Sequence, residues 1–468
     1  MEFHGQTLQW TSTIANFVAR SSTGSQAATD AIAIGRSSAI TTSGDAAKEI
    51  MKHGFLSLCA GVVFLTLFPG YFYYHTAVAG GFFPPVLGGF FGPMAVVLGI
   101  PLLLLGSSAL IAGRRPMLFI DRAFILYVIF VLAWSSLHFL FGKGAQGAQP
   151  VYLYNLGALF LWLVVYAAAR NLDLDGKYLR WILSLSLLYF LAIAAWQSDG
   201  QFYDTEKLAG DAVQVSSYQG LARSAAVVAL ALLAMNRGMR AALIIVIAVP
   251  LLFLLGARSE FMAFVVVAAM LFGVREGASR TTLIWVPLGI AGIAYLAISF
   301  NVFEGNSRIL QILEIRESAS YQARSELMQY AVKTITEHPV LGDYASELDL
   351  GEMGSYAHNA LSAWVSYGLA GFLGFVLLLG CALLQSAWLA RKGFAADPQV
   401  ALALAFSLYA VTLAATAKSV NDPIFALAWG AAACALDKHR RRGTRSPIGR
   451  SHGHKQVRDR IAAIVIHQ

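Results

Sequence analysis

From residue 54 to residue 436 the chain alternates long apolar runs with polar breaks. A hydrocarbon layer about 30 Å thick is crossed by roughly 17 to 25 predominantly apolar residues in a helix, whose backbone polar groups are then satisfied within the segment. Runs of that kind lie at 54–74, 86–112, 118–141, 151–169, 179–196, 218–235, 241–256, 260–274, 282–300, 360–387, 399–417 and 423–436. The pattern predicts an all-α, polytopic membrane protein with about twelve transmembrane helices. One break is far longer than most others, and residues 301–358 are expected to leave the membrane as a single large loop.

Composition closes off the soluble alternatives. Of 468 residues, 57% are hydrophobic and 13% charged, against roughly 25% charged in a soluble domain, and mean hydropathy is +0.62. So few charges cannot cover a water-exposed surface of this size, which excludes a soluble enzyme and a disordered or fibrous chain. Cys59, Cys381 and Cys434 sit inside apolar runs without metal-ligand spacing and read as packing residues.

The net charge of +8 is unevenly spread. If the N-terminus is cytoplasmic, 25 of the 34 Lys and Arg residues fall on the cytoplasmic side and eight on the other, as lysine and arginine retention inside demands. Both termini are then cytoplasmic and the 301–358 loop is periplasmic. Residues 1–53 read as a cytoplasmic extension, 54–437 as one integral domain, and 438–468 as a basic cytoplasmic tail. That tail, with Arg440, Arg441 and Arg442 beside the last run, reads as an anchor near anionic lipid and not as a nucleic-acid site, since no aromatics are interleaved.

The long loop concentrates the polar chemistry. It carries Arg308, Arg316, Arg324, Lys333 and His338, with carboxylates from Glu304 to Glu352. Residues 320–338 read as a helix in which Arg324, Met328, Ala331 and Ile335 share one stripe, stopped by Pro339. An arginine on such a stripe either snorkels to water or meets an anion. The hairpin GARSEF puts Arg258 at the outer end of two runs, against the orientation rule, where it pairs with Glu260 or holds a ligand. YAHNALSAWVSYGLAG places His358 and Asn359 where the loop re-enters the membrane, followed by Gly368 and Gly371, which permit close packing. His358 there is either a capping residue or a proton acceptor beside a membrane-bound substrate. Arg223, about five residues inside its run, snorkels or makes a functional contact. Arg308 and Arg316 taken alone read as solvated loop charges.

Taken in order, GARSEF, YQARSELMQYAVKTITEHPVLGDY and AHNALSAWVSYGLAG resemble the signature of the O-antigen ligase and O-antigen polymerase superfamily of bacterial membrane glycosyltransferases, which includes exopolysaccharide polymerase-like proteins. The match covers about 250–380, with one departure: eight residues separate Asn359 from Gly368 where nine are expected in many members. The resemblance implies a C-type glycosyltransferase-like fold in the inner membrane, acting at the periplasmic face on a glycan donor linked to undecaprenyl pyrophosphate. It implies His358, Arg258 and Arg324 as catalytic residues; Arg223, Arg308, Arg316 and Asn359, read from their placement in the chain, are the candidate substrate contacts. Guanidinium groups suit a diphosphate leaving group because they hold its oxygens bidentately. No nucleotide, metal or other cofactor is required, since the donor is already activated. The acceptor is either a lipid-linked repeat unit, in a polymerase of exopolysaccharide, capsule or O-antigen, or the lipid A-core, in a ligase; other polysaccharide assembly proteins are candidate partners. The glycine spacing favours the polymerase. A polytopic transporter or lipid-linked glycan flippase is the alternative of another class, opposed by the scarcity of acidic residues within the runs and the absence of repeated halves.

Overall fold

The computed structural model of the chain describes residues 42–82, 91–111, 116–141, 145–198, 218–276, 319–350 and 357–444. The 282–300 run, Arg308, Arg316 and the basic tail after Thr444 lie outside the described residues. The chain divides into a unit ending at Phe55 and a second from Leu56 onward.

Regular structure among the described residues is entirely helical. In chain order it comprises α1 (Thr42–Leu65), a π turn (Thr66–Gly70), α2 (Tyr71–Ala79), α3 (Phe91–Ile111), α4 (Phe119–Phe141), α5 (Ala145–Asn171), α6 (Lys177–Gln197) and α7 (Tyr218–Met235). Then follow α8 (Gly238–Leu254), α9 (Arg258–Glu276), α10 (Ala319–Glu337), α11 (Leu361–Arg391), α12 (Pro398–Thr416) and α13 (Pro423–Thr444). Eight described segments are long and apolar enough to cross a membrane, and α8 is a shorter apolar helix. The chain is thus a multi-pass helical membrane protein, and every expected run except 282–300 coincides with a described helix.

Side-chain size sorts the helices into inner and outer. The Ala-rich α7 is buried nearly all round from Gly220 to Met235, because small side chains let neighbouring backbones approach. Helices α12 and α13 share this character and pack on each other and on α11, and α13 packs on α5. By contrast α3, α4 and α6 expose Val97, Leu104, Leu126, Ile129, Leu185 and Leu188, the apolar faces a lipid environment favours. Pro69 interrupts the first crossing at the π turn, and the Phe68 carbonyl there accepts from Ser224 Oγ on α7 at 2.8 Å.

One end of the bundle is locked by a buried ion network. Arg170 on α5 bridges Asp121 on α4 at 3.1 Å and Asp437 on α13 at 3.0 Å, and Tyr166 donates to Asp121 at 2.6 Å. The other end gathers the start of α11, the C-terminal side of α10, and the connection 417–422 between α12 and α13. Expected to be a short break, 417–422 is instead almost wholly buried, and its polar groups organise the site described next.

Candidate functional site

Helix α10 realises the expected stripe. Ala331 and Ile335 pack with Ala357, Leu361 and Val365, so the stripe faces the beginning of α11, and Met328 Sδ accepts from the Asn359 amide at 3.3 Å. After Glu337 the turn Pro339 introduces runs back against α11. Trp364 Nε1 donates to Pro339 O at 2.7 Å, Asp343 N to Val365 O at 2.7 Å, and Leu369 N to Val340 O at 3.1 Å.

This close approach rests on Gly342 (φ 68°) and Gly368 (φ 67°, ψ −170°), which breaks the helical backbone inside α11. A Cβ on Gly368 would collide with Val340 O, and one on Gly342 would lie 2.5 Å from Val365 O. Gly368 therefore does more than admit a neighbouring helix. It opens α11 so that the carbonyl of Val365 and the amide of Leu369 can bond the turn.

Ahead of α11, Asn359 Oδ1 accepts from Leu361 N at 2.9 Å and its carbonyl accepts from Ser362 Oγ at 2.8 Å. The preceding His358 is half-buried. Burial first, then the positive charges of Arg324 and Lys418, pull its pKa from the ordinary 6.5 down to about 4. Two expected site residues, His358 and Arg324, are thus brought within electrostatic reach of each other across more than thirty residues of chain.

The 417–422 segment supplies groups that the sequence reading did not single out. Lys418 Nζ lies 2.7 Å from Glu260 Oε1 and donates to Gln219 Oε1 at 3.0 Å. Glu260 is fully buried and also accepts from Ser259 Oγ at 3.0 Å. Asp422 accepts from Arg223 Nη1 at 2.7 Å, so Arg223 pairs with a buried carboxylate. Val420 N donates to Ser362 Oγ at 2.9 Å, and Ala360 N to Ala414 O at 2.6 Å. These bonds stitch the His358 turn to the buried segment. Arg258 opens α9, half-buried, two residues before the Glu260 that holds Lys418.

Beside this cationic group lies an uncharged one. Asn421 Nδ2 donates to Asn155 Oδ1 at 3.0 Å, Asn155 Nδ2 to Tyr344 Oη at 2.8 Å, and Trp162 Nε1 to Asn421 O at 3.3 Å. Each member of this amide and phenol chain is hydrogen-bonded, as a buried polar network requires. Among the described residues no group of three or more His, Cys, Asp or Glu could hold a metal ion.

The arrangement can retain a neutral imidazole next to fixed positive charge at the mouth of a helix bundle. No family model and no curated protein matches the sequence. Among solved structures, the chain is similar to one from a peptidoglycan synthase complex, described for the structural coordination of polymerization and crosslinking, with 18% identity and a TM-score of 0.40 over 68% of this chain and 98% of that one.

Proposed function

We propose that this protein is a membrane glycosyltransferase that moves a glycan from undecaprenyl pyrophosphate onto the non-reducing end of another lipid-linked repeat unit, polymerising an exopolysaccharide, capsule or O-antigen. The observation that carries the proposal is His358 held neutral beside Arg324 and Lys418 at the start of α11.

In this reading the acceptor hydroxyl oxygen attacks the anomeric carbon of the donor. The bond from that carbon to the pyrophosphate oxygen breaks, the hydroxyl proton passes to His358, and undecaprenyl diphosphate leaves with the electron pair. A base must be unprotonated before it can act, and the same cations that keep His358 neutral stabilise the departing diphosphate as its charge grows. Arg258 and Arg324 take the bidentate hold on phosphate oxygens. Asn359 orders the His358 turn and offers a substrate contact through its amide, whose present acceptor is a weak thioether. Arg223, paired with Asp422, is a further candidate substrate contact, and Arg308 and Arg316 are loop contacts to the donor.

The test uses purified protein in detergent with undecaprenyl pyrophosphate-linked repeat units. Glycosidic product formed without a sealed compartment, and lost in His358→Ala at equal protein level, supports the proposal. Transport across vesicles without any product would make the protein a carrier. A deletion strain separates the two transferases, because loss of a polymerase leaves single repeat units on the final glycolipid, whereas loss of a ligase leaves full-length glycan on its undecaprenyl carrier.

A further inference from the structure

The turn after α10 carries a carboxylate that the proposed chemistry does not use. Glu347 stands in a 3-10 turn (Ser346–Leu350) and is half-buried, yet it makes no hydrogen bond or ion pair among the described residues. The turn itself is well held: Tyr330 Oη donates to Ser346 O at 2.9 Å, Ser346 N to Asp343 O at 3.3 Å and Leu348 N to Ala345 O at 3.0 Å. Ala345 adopts φ 68°, a conformation costly for a residue with a Cβ. Burial pushes the Glu347 carboxyl above its ordinary pKa.

Around this turn the side chains are aromatic and acidic. His138 near the end of α4 lies 5.6 Å from the Tyr344 ring and 5.0 Å from Trp134, and Tyr152 on α5 stacks on Phe139 at 4.5 Å. Tyr344 links these groups, since it neighbours His138, Tyr152 and Glu347. Trp134, His138, Tyr152, Asp343 and Glu347 are all partly exposed. The indole N–H of Trp134 finds no acceptor among the described residues. Among the described residues of 134–157 and 343–348 there is no lysine or arginine, Lys143 lying outside them, whereas Arg324 and Lys418 stand beside His358.

Aromatic walls with a few polar anchors are the usual composition of a small-molecule site. An anion would not be drawn to a wall whose described residues include carboxylates and no lysine or arginine, whereas an uncharged polyhydroxyl ring fits it. Its C–H face can lie on the rings, and its hydroxyls can donate to the carboxylate. Building on the glycosyl-transfer reading, we propose that the wall formed by Trp134, His138, Tyr152 and Glu347 is the subsite for a neutral sugar of the acceptor, with Glu347 as its hydroxyl-binding anchor. Donor diphosphate, held near Arg324, and acceptor sugar, held at this wall, are then sorted by charge, and the turn that carries Glu347 is anchored to α11 by Gly342 and Gly368.

Two binding probes test this on the full-length protein in detergent: undecaprenyl diphosphate, and the lipid-free neutral oligosaccharide released by mild acid from the host's lipid-linked fraction. Glu347→Gln keeps size and shape but removes the charge, so oligosaccharide binding should weaken on the order of tenfold to a hundredfold, the loss expected for hydrogen bonds to a charged group. Tyr152→Ala should weaken it as well. Undecaprenyl diphosphate should bind both variants as it binds the wild type, and that retained binding also shows that they fold. Arg324→Ala should give the reverse pattern. Wild-type oligosaccharide affinity in Glu347→Gln and Tyr152→Ala overturns the subsite. Failure of the wild type to bind oligosaccharide, with Arg324-dependent binding of undecaprenyl diphosphate intact, overturns the subsite and leaves the glycosyltransferase reading standing. Failure to bind either probe overturns both.

Discussion

Replacing Lys418 by Met removes one member of a buried pair and leaves the other stranded. The Lys418 side chain is 9% exposed and that of Glu260 0%, with 2.7 Å between nitrogen and oxygen. At an effective dielectric of about 20, unit charges at that separation attract by about 6 kcal/mol. Desolvation of both groups offsets much of this gain, so the pair as a whole contributes little net stability. Removing one partner is different, because an uncompensated buried charge costs about 3–5 kcal/mol. Lys418→Met should therefore destabilise the protein by roughly that amount. Lys418→Met/Glu260→Gln, which removes both charges, should recover most of the loss. Glu260→Gln alone should be milder than Lys418→Met, since Lys418 retains Gln219 and the nearby Asp422 carboxylate. Reversible unfolding of purified protein in mixed micelles, monitored by circular dichroism against denaturing detergent, measures all three. If the double variant is as unstable as Lys418→Met, the damage comes from lost packing around the 417–422 segment and not from a stranded charge, and the electrostatic argument fails.

Further outcomes follow from the same geometry. Gly368→Ala should lower stability by at least about 1–3 kcal/mol, because its backbone lies in a region essentially closed to other residues and the new Cβ would meet Val340 O; an unchanged melting curve would show that α11 can close its break. His358 titrates near 4, below its ordinary 6.5, so between those values the folded protein binds fewer protons than the unfolded chain. Stability should fall as pH drops through that window, and the acid limb of transfer should lie toward pH 4. Arg324→Met should move that limb upward by removing one of the charges that disfavour protonation, though not fully to 6.5, since burial persists; a limb that stays put would separate His358 from the transfer step. Arg258→Lys and Arg324→Lys should recover little of the activity lost in the alanine variants in a single-turnover assay, because a point charge cannot reproduce a bidentate hold. Reporter fusions after Gln146, Gly210 and Gly351 should read as periplasmic and those after Arg115, Gly238 and Gly443 as cytoplasmic; a cytoplasmic signal at Gly351 would remove the proposed site from its substrate.

The crossings were legible because they depend on a one-dimensional quantity. A stretch such as 119–141 must be apolar for its whole length to lie in lipid, whatever its neighbours are, and α4 coincides with the expected run. The stripe on α10 was legible for a related reason: Met328, Ala331 and Ile335 share a face by helical period alone, and that face meets α11. The pairing of His358 with Arg324 came from an ordered set of motifs, while the physical cause of the histidine's neutrality, burial with two cations, is three-dimensional.

The role of 417–422 was hidden in the chain. AKSVND reads as a short polar break between two apolar runs, and nothing local distinguishes a solvated connection from a buried one. Lys418 finds Glu260, Asp422 finds Arg223 and Asn421 finds Asn155 only when α5, α7, α9 and α12 converge. Likewise Gly368 could be read as a packing residue, but its positive φ is set by the turn that lies across it. The sequence alone determined which segments leave water, because burial in lipid is a property of each segment's own composition. Only the tertiary structure decided which charges meet, because the partner of a buried ion is whichever group the packing of distant helices brings within about 3–4 Å.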